Sequence, residues 1–260
     1  MKRIFFLFFI VVLISSCGDN PVQKIETSTV EAVTATEAKY SLTDTTNHYE
    51  IDLVYPVIDG DFSPEVLNNI NNTISDKFNL FLNKSEFIEA HQDLPEDMPS
   101  NNGEWNGLLN NTYGISQCDS IITIWFSIYQ YYLGAAHGFT INHSLHFNLN
   151  TGNLLNVEDV FKTDSISVGN IKKIINANLP DSLCWGIETD SSTIAMLDNF
   201  IFTDDSITLK IDDYALCPYA FGLNTISYNK ADFKDVLKLS DFSHCQDVSV
   251  VQAEGEIATH

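Results

Sequence analysis

The residues with the richest chemistry gather around Gly134-Ala135-Ala136-His137-Gly138, just after the aromatic pair Tyr131 and Tyr132. Small residues between two aromatic strands let the chain turn tightly, because glycine reaches positive φ without a clash. His137 then offers a hydrogen-bonding head, with Tyr131, Tyr132 and Tyr219 as amphipathic contact surface. The segment reads as a candidate shallow binding site that takes in Gly134 and Gly138. The plainer alternative, which a lone histidine favours, is that His137 pins the hairpin by bonding backbone groups of the loop at 214–222.

Other constellations are weaker. His143 and His146 suggest a metal site, but residues three apart on a strand point to opposite faces and do not chelate one ion. Phe202-Thr203-Asp204-Asp205 and His143-Ser144-Leu145-His146 only superficially match a metal-dependent deacetylase signature, with wrong residue order and wrong histidine spacing. No Gly-x-Ser-x-Gly elbow is present. With 35 acidic residues, carboxylate pairs suited to glycoside cleavage arise by chance. Trp105 and Trp185 could stack on sugars, although single tryptophans more often pack in a core or rim. Neither a metal nor a cofactor is expected, and the catalytic set is empty.

The elements that must hold these residues follow from periodicity. Tyr49, Ile51, Leu53 and Tyr55 alternate with polar residues over 48–58, which predicts a strand. Ser63-Pro64-Glu65 opens a helix carrying Leu67, Ile70, Ile74, Phe78 and Phe81 at helical spacing. Three antiparallel strands fill 105–150, the most apolar at 121–132. Short helices follow at 157–161 and 166–178, then strands at 200–202 and 207–211. A loop or short strand at 214–222, a strand at 225–228 and a helix at 230–237 complete the series. The mixture without βαβ repetition indicates an α+β fold, an antiparallel or mixed sheet with helices packed on it, in two subdomains.

The start of the chain reads as a secretory leader: Lys2 and Arg3, an apolar run to Ile14, then Ser15-Ser16-Cys17. That run is shorter than the ~20 residues a membrane-crossing helix needs. Ile14-Ser15-Ser16-Cys17 resembles the bacterial lipobox, which implies cleavage before Cys17, acyl chains on it, and a membrane partner through that lipid anchor. Export with lipid anchoring to the cell envelope, on a periplasmic face or the cell surface, is the expected location. The expected division is a signal peptide at 1–16, a flexible acidic tether at 17–47, subdomains at 48–150 and 151–240, and a tail at 241–260.

The whole chain carries a formal charge of −22; loss of residues 1–16 leaves 11 basic residues, all lysine, against 35 acidic ones, or −24. Such a body repels polyanions and lacks the arginine forks that read phosphates, so nucleic acid is not an expected partner. A cationic partner would be attracted. Cys118, Cys184, Cys217 and Cys245 permit two disulfides in an oxidising compartment, with three connectivities open, or buried free thiols.

Several motifs together carry a family resemblance. Tyr131 through Gly138, then Leu145-His146-Phe147-Asn148-Leu149-Asn150-Thr151-Gly152, then Val157-Glu158-Asp159-Val160-Phe161, are similar to an envelope domain. That domain forms the extracellular part of the anti-sigma factor RsiV and the accessory region of the peptidoglycan deacetylase PdaC. Phe200-Ile201-Phe202-Thr203, Tyr214 and Cys217-Pro218-Tyr219-Ala220-Phe221-Gly222 resemble its closing strands and Tyr-Pro-Tyr-Ala-x-Gly motif. The resemblance runs over about 48–238. It implies a non-catalytic envelope domain that binds a wall-associated partner, either a cationic protein such as lysozyme or a peptidoglycan glycan. Tyr214, Pro218, Tyr219 and Gly222 join His137 as candidate binding residues. Two alternatives are an unrecognised wall hydrolase or esterase using His137, and a structural subunit of an envelope assembly.

Overall fold

A computed structural model describes residues 32–92, 106–179, 184–239 and 244–252, the last four for backbone alone. The leader at 1–16, Cys17 and Trp105 lie outside the described residues. The alternation read from the sequence produces β2 (Tyr49–Asp59), with Tyr49, Ile51 and Leu53 buried. Ser63 caps α1 (Pro64–Leu82), its hydroxyl accepting from Val66 N at 3.3 Å, and Ile70, Ile74 and Phe78 face the sheet. A left-handed Asn83 ends α1 and leads into α2 (Lys84–Gln92), which the sequence reading missed. Together the two helices form the crossover that a parallel neighbour requires. β3 (Gly107–Cys118) accordingly runs parallel to β2.

β3, β4 (Ile121–Tyr131) and β5 (Phe139–Asn148) make the expected antiparallel meander, with β6 (Leu154–Leu155) pairing the end of β5. Ile122, Ile124, Phe126 and Ile128 of β4 point to the α1 side and are fully buried there. The residues between them, Thr123, Trp125, Ser127 and Tyr129, face the far side.

Two expectations are corrected at the ends of the body. Part of the expected tether is β1 (Thr34–Asp44), paired antiparallel with β2 along its whole length. Its side chains are mostly exposed and show no apolar face, so ladder hydrogen bonds rather than burial make it a strand. Part of the expected tail is β10 (Cys245–Gln252), which pairs antiparallel with β3. β2 pairs with residues 107–110 of β3 and β10 with 112–118, so the two strands share one edge of β3 and leave little of it open.

The later residues build α3 (Val157–Val160), α4 (Ser165–Ala177), α5 (Asp190–Leu197) and a small antiparallel sheet. That sheet is β7 (Phe200–Phe202), β8 (Ser206–Lys210) and β9 (Thr225–Asn229). α5 falls in a stretch whose sequence showed no clear period. The helix expected at 230–237 is only a 3-10 turn, Lys230–Phe233, after which the chain bridges Leu237 to Phe161. A second apolar cluster, including Phe161, Phe200, Phe202 and Phe233, packs with Cys118 and Ile121 of the large sheet. Buried His146 joins the two, its ring 3.8 Å from that of Phe200 and its Nδ1 3.0 Å from Thr123 Oγ1. Among the described residues no helix is long and apolar enough to cross a membrane.

Candidate functional site

The turn at 132–138 is set from both sides of the sheet. Beneath it, His91 of α2 places Nε2 3.4 Å from Leu133 N and stacks on Tyr132 at 5.7 Å. Tyr132 also packs on Phe87 and Phe139, so it belongs to the α1 side of the body and not to the candidate surface. Gly134 takes φ 88°, the left-handed turn its sequence context predicted. Gly138 is required for a different reason: a Cβ there would lie 2.3 Å from the ring of Tyr129, which crosses over it. Burial, with Tyr219 beside it, raises the pKa of the Tyr129 phenol. Tyr131 lies on that same far side of β4, half-buried, two residues beyond Tyr129.

His137 is exposed and joins the turn to the 214–222 loop through side chains, where the structural alternative had it bonding the loop's backbone. Its Nδ1 is 2.8 Å from Gly138 O and its Nε2 3.0 Å from Tyr214 Oη. A carbonyl only accepts, so Nδ1 carries the proton and, in the neutral ring, the phenol donates to Nε2. The imidazole stacks on Tyr219 at 4.1 Å, 12° from parallel. A carbonyl and a phenol occupy both ring nitrogens; the carboxylate and oriented nucleophile that a hydrolytic role would require are not its partners.

The loop itself is rigidly built. Pro218 precedes a 3-10 turn, Tyr219–Phe221, and Gly222 closes it at φ 59°. Cys217 pairs with Cys184, so the disulfide fastens residues 184–186 to the loop. Trp185 continues that attachment, its backbone N donating to Leu216 O at 2.9 Å and its indole Nε1 to Ala215 O at 3.1 Å. Trp185 is 51% exposed, Tyr214 50%, Phe221 39% and Tyr219 37%; Tyr214 and Tyr219 lie against His137, Trp185 is bonded to the backbone of Ala215 and Leu216, and Phe221 ends the 3-10 turn of the same loop. The sequence reading found His137, Tyr214 and Tyr219, and it weighed Trp185 only as a lone tryptophan. Phe221 lies inside the Cys217 to Gly222 motif, where its position alone indicates no role.

The segment leading into this loop is docked on the free edge of β5 by carboxylates. Asp213 Oδ2 accepts from Thr140 N at 2.7 Å, and Asp213 N donates to Thr140 O at 3.1 Å. Asp212 Oδ1 accepts from Asn142 N at 2.6 Å, while buried Asn142 donates through Nδ2 to Ile211 O at 2.9 Å. Burial raises the pKa of Asp212, and the hydrogen bonds from Asn142 oppose that shift. These two acids were invisible as functional residues in the sequence because nothing in their spacing reveals a partner 70 residues away.

The remaining constellations are accounted for structurally. His143 stacks on Phe81 at 3.9 Å on the α1 side, whereas His146 lies against Phe200 on the far side, the opposite placement that strand geometry predicted. Asp204 Oδ1 accepts from Cys245 N at 2.6 Å in an open depression beside the Cys118–Cys245 disulfide, so the Phe202 to Asp205 fragment serves as a turn and clamp. Among the described residues no three His, Cys, Asp or Glu side chains converge as a metal-holding group. Of the three open cysteine connectivities, the structure takes 118–245 with 184–217.

Comparison with known proteins agrees with the resemblance read from the motifs. Residues 42–140, from the end of β1 to the start of β5 and including His137, match the family described as Deacetylase PdaC. Over 162 residues the chain is 25% identical to the peptidoglycan-N-acetylmuramic acid deacetylase PdaC of Bacillus subtilis (strain 168). That alignment takes in 59% of this chain and 33% of the enzyme, so the chain spans about one third of that relative's length. Among solved structures, a DUF3298 family member from Bacteroides fragilis superposes with a TM-score of 0.50 at 12% identity, over 80% of this chain and 94% of that one. A DUF3298 family protein from Pseudomonas aeruginosa gives 0.46 at 14% identity, with the same coverage. The Bacteroides likeness shows a shared fold.

Proposed function

We propose that this chain is a binding module of the cell envelope, held at a membrane by acyl chains on Cys17. It touches a cell-wall glycan with the aromatic array around His137. The observation that carries the reading is the outward exposure of Tyr214, Tyr219 and Phe221 on a loop fixed by a disulfide and by hydrogen bonds, with exposed Trp185 bonded to that loop's backbone. Rings of this size contribute most when buried, so a rigid exposed set favours a partner that covers it, with little side-chain entropy lost on binding. Sugar rings present C–H faces that suit such rings, and their hydroxyls suit the polar edges of tyrosine and histidine. The name of the Bacillus relative supports a peptidoglycan strand as the glycan.

Cosedimentation with purified peptidoglycan tests this. The intact chain in detergent pellets with the wall, and Trp185→Ala with Tyr219→Ala weakens retention by tenfold or more, about 1.4 kcal/mol. An intact chain that stays in the supernatant at low and moderate salt removes the reading.

A second reading is favoured by charge alone. At −22, the chain would attract a cationic wall-directed protein such as lysozyme, and the encounter would weaken steeply with salt. Binding to lysozyme that is unchanged between low and high salt would contradict it.

A further inference from the structure

The large sheet is covered along most of the edges its strands present. The open side of β5 is bonded by Asp212 and Asp213, and its last residues pair with the two-residue β6. β2 and β10 divide one side of β3. Where β2 leaves β3, the Asn111 side chain accepts from Val54 N at 2.9 Å and donates to Val54 O at 2.8 Å. β1 is different. Its inner side pairs with β2 over all 11 residues without a register break, and among the described residues no strand pairs its outer side. Long edges of this kind are usually blunted by a proline, a bulge or a free lysine, because their outward N–H and C=O groups are a template for another strand. β1 has neither proline nor bulge, and its lysine, Lys39, is paired with Asp52 at 3.4 Å. Val33, just before β1, is buried and donates its N to Gln117 Oε1 at 2.9 Å, which fastens the start of the strand to the inner sheet.

The residues of β1 are complementary to a second copy of themselves. Alternation places Tyr40 on the α1 side, where Lys84 rests over its ring at 4.0 Å. Glu37, Lys39 and Ser41 lie on the far side, where Lys39 and Ser41 reach Asp52. Two copies of a strand paired antiparallel about a two-fold axis oppose residues equally distant from the centre. With the centre at Ala38, Glu37 stands opposite the partner's Lys39 and Lys39 opposite the partner's Glu37. Tyr40 then meets the partner's Thr36, and Leu42 the partner's Thr34. Moving the centre by one residue sets Glu37 against the partner's Glu37, or Lys39 against the partner's Lys39. Opposite charges directly across a strand pair stabilise it, like charges destabilise it, and an aromatic ring pairs well with a β-branched side chain. Charge thus selects one register of this strand with itself and disfavours both neighbouring ones.

We propose that the outer edge of β1 is the interface of a two-fold dimer, in which β1 pairs antiparallel with β1 of a second copy about Ala38 and the two large sheets become one. Backbone hydrogen bonds along the edge supply the attraction, and the two Glu37–Lys39 pairs fix the register. Lys39 then lies between Asp52 of its own chain and the partner's Glu37. The net negative charge of each chain does not forbid this, because charges beyond ~8 Å are largely screened at physiological salt. A dimer carries two copies of the His137 loop cluster, and a repeating polymer engages two linked sites more strongly than one.

Sedimentation velocity of the full chain in detergent at physiological salt reads the association. The expected result is a dimer at micromolar concentration. Glu37→Lys and Lys39→Glu, each alone, set like charges against one another and weaken the dimer about tenfold or more. An equal mixture of the two variants again opposes unlike charges, and restores association to within about threefold of the parent. Circular dichroism establishes that each variant is folded. Ala38 stands opposite itself, so Ala38→Cys cross-links between copies on mild oxidation, whereas Thr36→Cys, whose counterpart lies opposite Tyr40, does not. A monomer under these conditions, a dimer indifferent to both charge reversals, no recovery on mixing, or equal cross-linking at positions 36 and 38 would overturn the proposal. No glycan is present in these measurements, so failure here leaves the wall-binding reading standing, and failure of wall binding leaves the dimer standing.

Discussion

The imidazole of His137 and the ring of Tyr219 lie face to face, 4.1 Å between centres and 12° from parallel, and so tie a hairpin turn to a loop far along the chain. A stacked pair contributes about 0.5–1.5 kcal/mol and a solvent-exposed hydrogen bond about as much. His137→Ala should therefore lower stability by ~1–2 kcal/mol, and His137→Phe, which keeps the stack and loses the Tyr214 bond, by less. Urea denaturation followed by circular dichroism measures both. Equal losses would show that the stack contributes nothing.

Asn142 fastens residues 211–212 to the edge of β5 from a buried position, donating to Ile211 O and accepting from Ser127 Oγ. Asn142→Leu leaves these partners unpaired and should cost about 2–3 kcal/mol. It should also loosen the 214–222 loop, so hydrogen exchange at residues 214–222 should quicken more than at the α1 helix. A uniform acceleration would argue against Asn142 as the loop's local fastening.

Both disulfides close long loops, with separations of 127 residues for Cys118–Cys245 and 33 for Cys184–Cys217. Chain entropy gives about 5 and about 4 kcal/mol respectively. Cys118→Ser should therefore be the more damaging single change in the full chain, and it should release β10 from β3. Non-reducing peptide mapping tests the pairing itself: a linked peptide containing Cys118 and Cys184 would contradict it.

Acid sensitivity follows from buried His146 and half-buried His143. Burial lowers the pKa of His143 to about 4 and of His146 to about 3, below the ordinary 6.5. The unfolded chain binds protons at these sites before the folded one does, so their contribution is complete above pH ~6.5 and falls as pH drops toward the folded values. The limiting slope is about 1.4 kcal/mol per pH unit for each histidine. Asp198 and Asp212, whose pKa values burial raises, act in the opposite sense nearer the carboxylate range. Denaturation at pH 7, 6 and 5 should show falling stability that flattens in His146→Phe; an unchanged slope in that variant would remove His146 as a cause.

The readable parts of the fold were those with a strong period. α1, β2 and the β3–β5 meander show their apolar spacing directly, and Ser63-Pro64 marks where α1 starts. β1 was hidden because pairing to a neighbour, not an apolar face, makes it a strand, and β10 because its partner, β3, lies far back in the chain. α2 and α5 are short, with too few buried residues to reveal a period. At the site, the motif residues His137, Tyr214 and Tyr219 came together as expected. Trp185 joins through a disulfide and Asp212 and Asp213 through long-range bonds to backbone, and no local pattern encodes such contacts.

The measurement that bears most directly on wall binding is retention of the chain on purified peptidoglycan, compared with the Trp185→Ala/Tyr219→Ala variant at matched stability. The account predicts that the parent chain pellets with the wall and that the variant is retained tenfold less or worse. Equal retention of the two proteins, or none of either, would contradict the assignment of the His137 aromatic array as the contact surface.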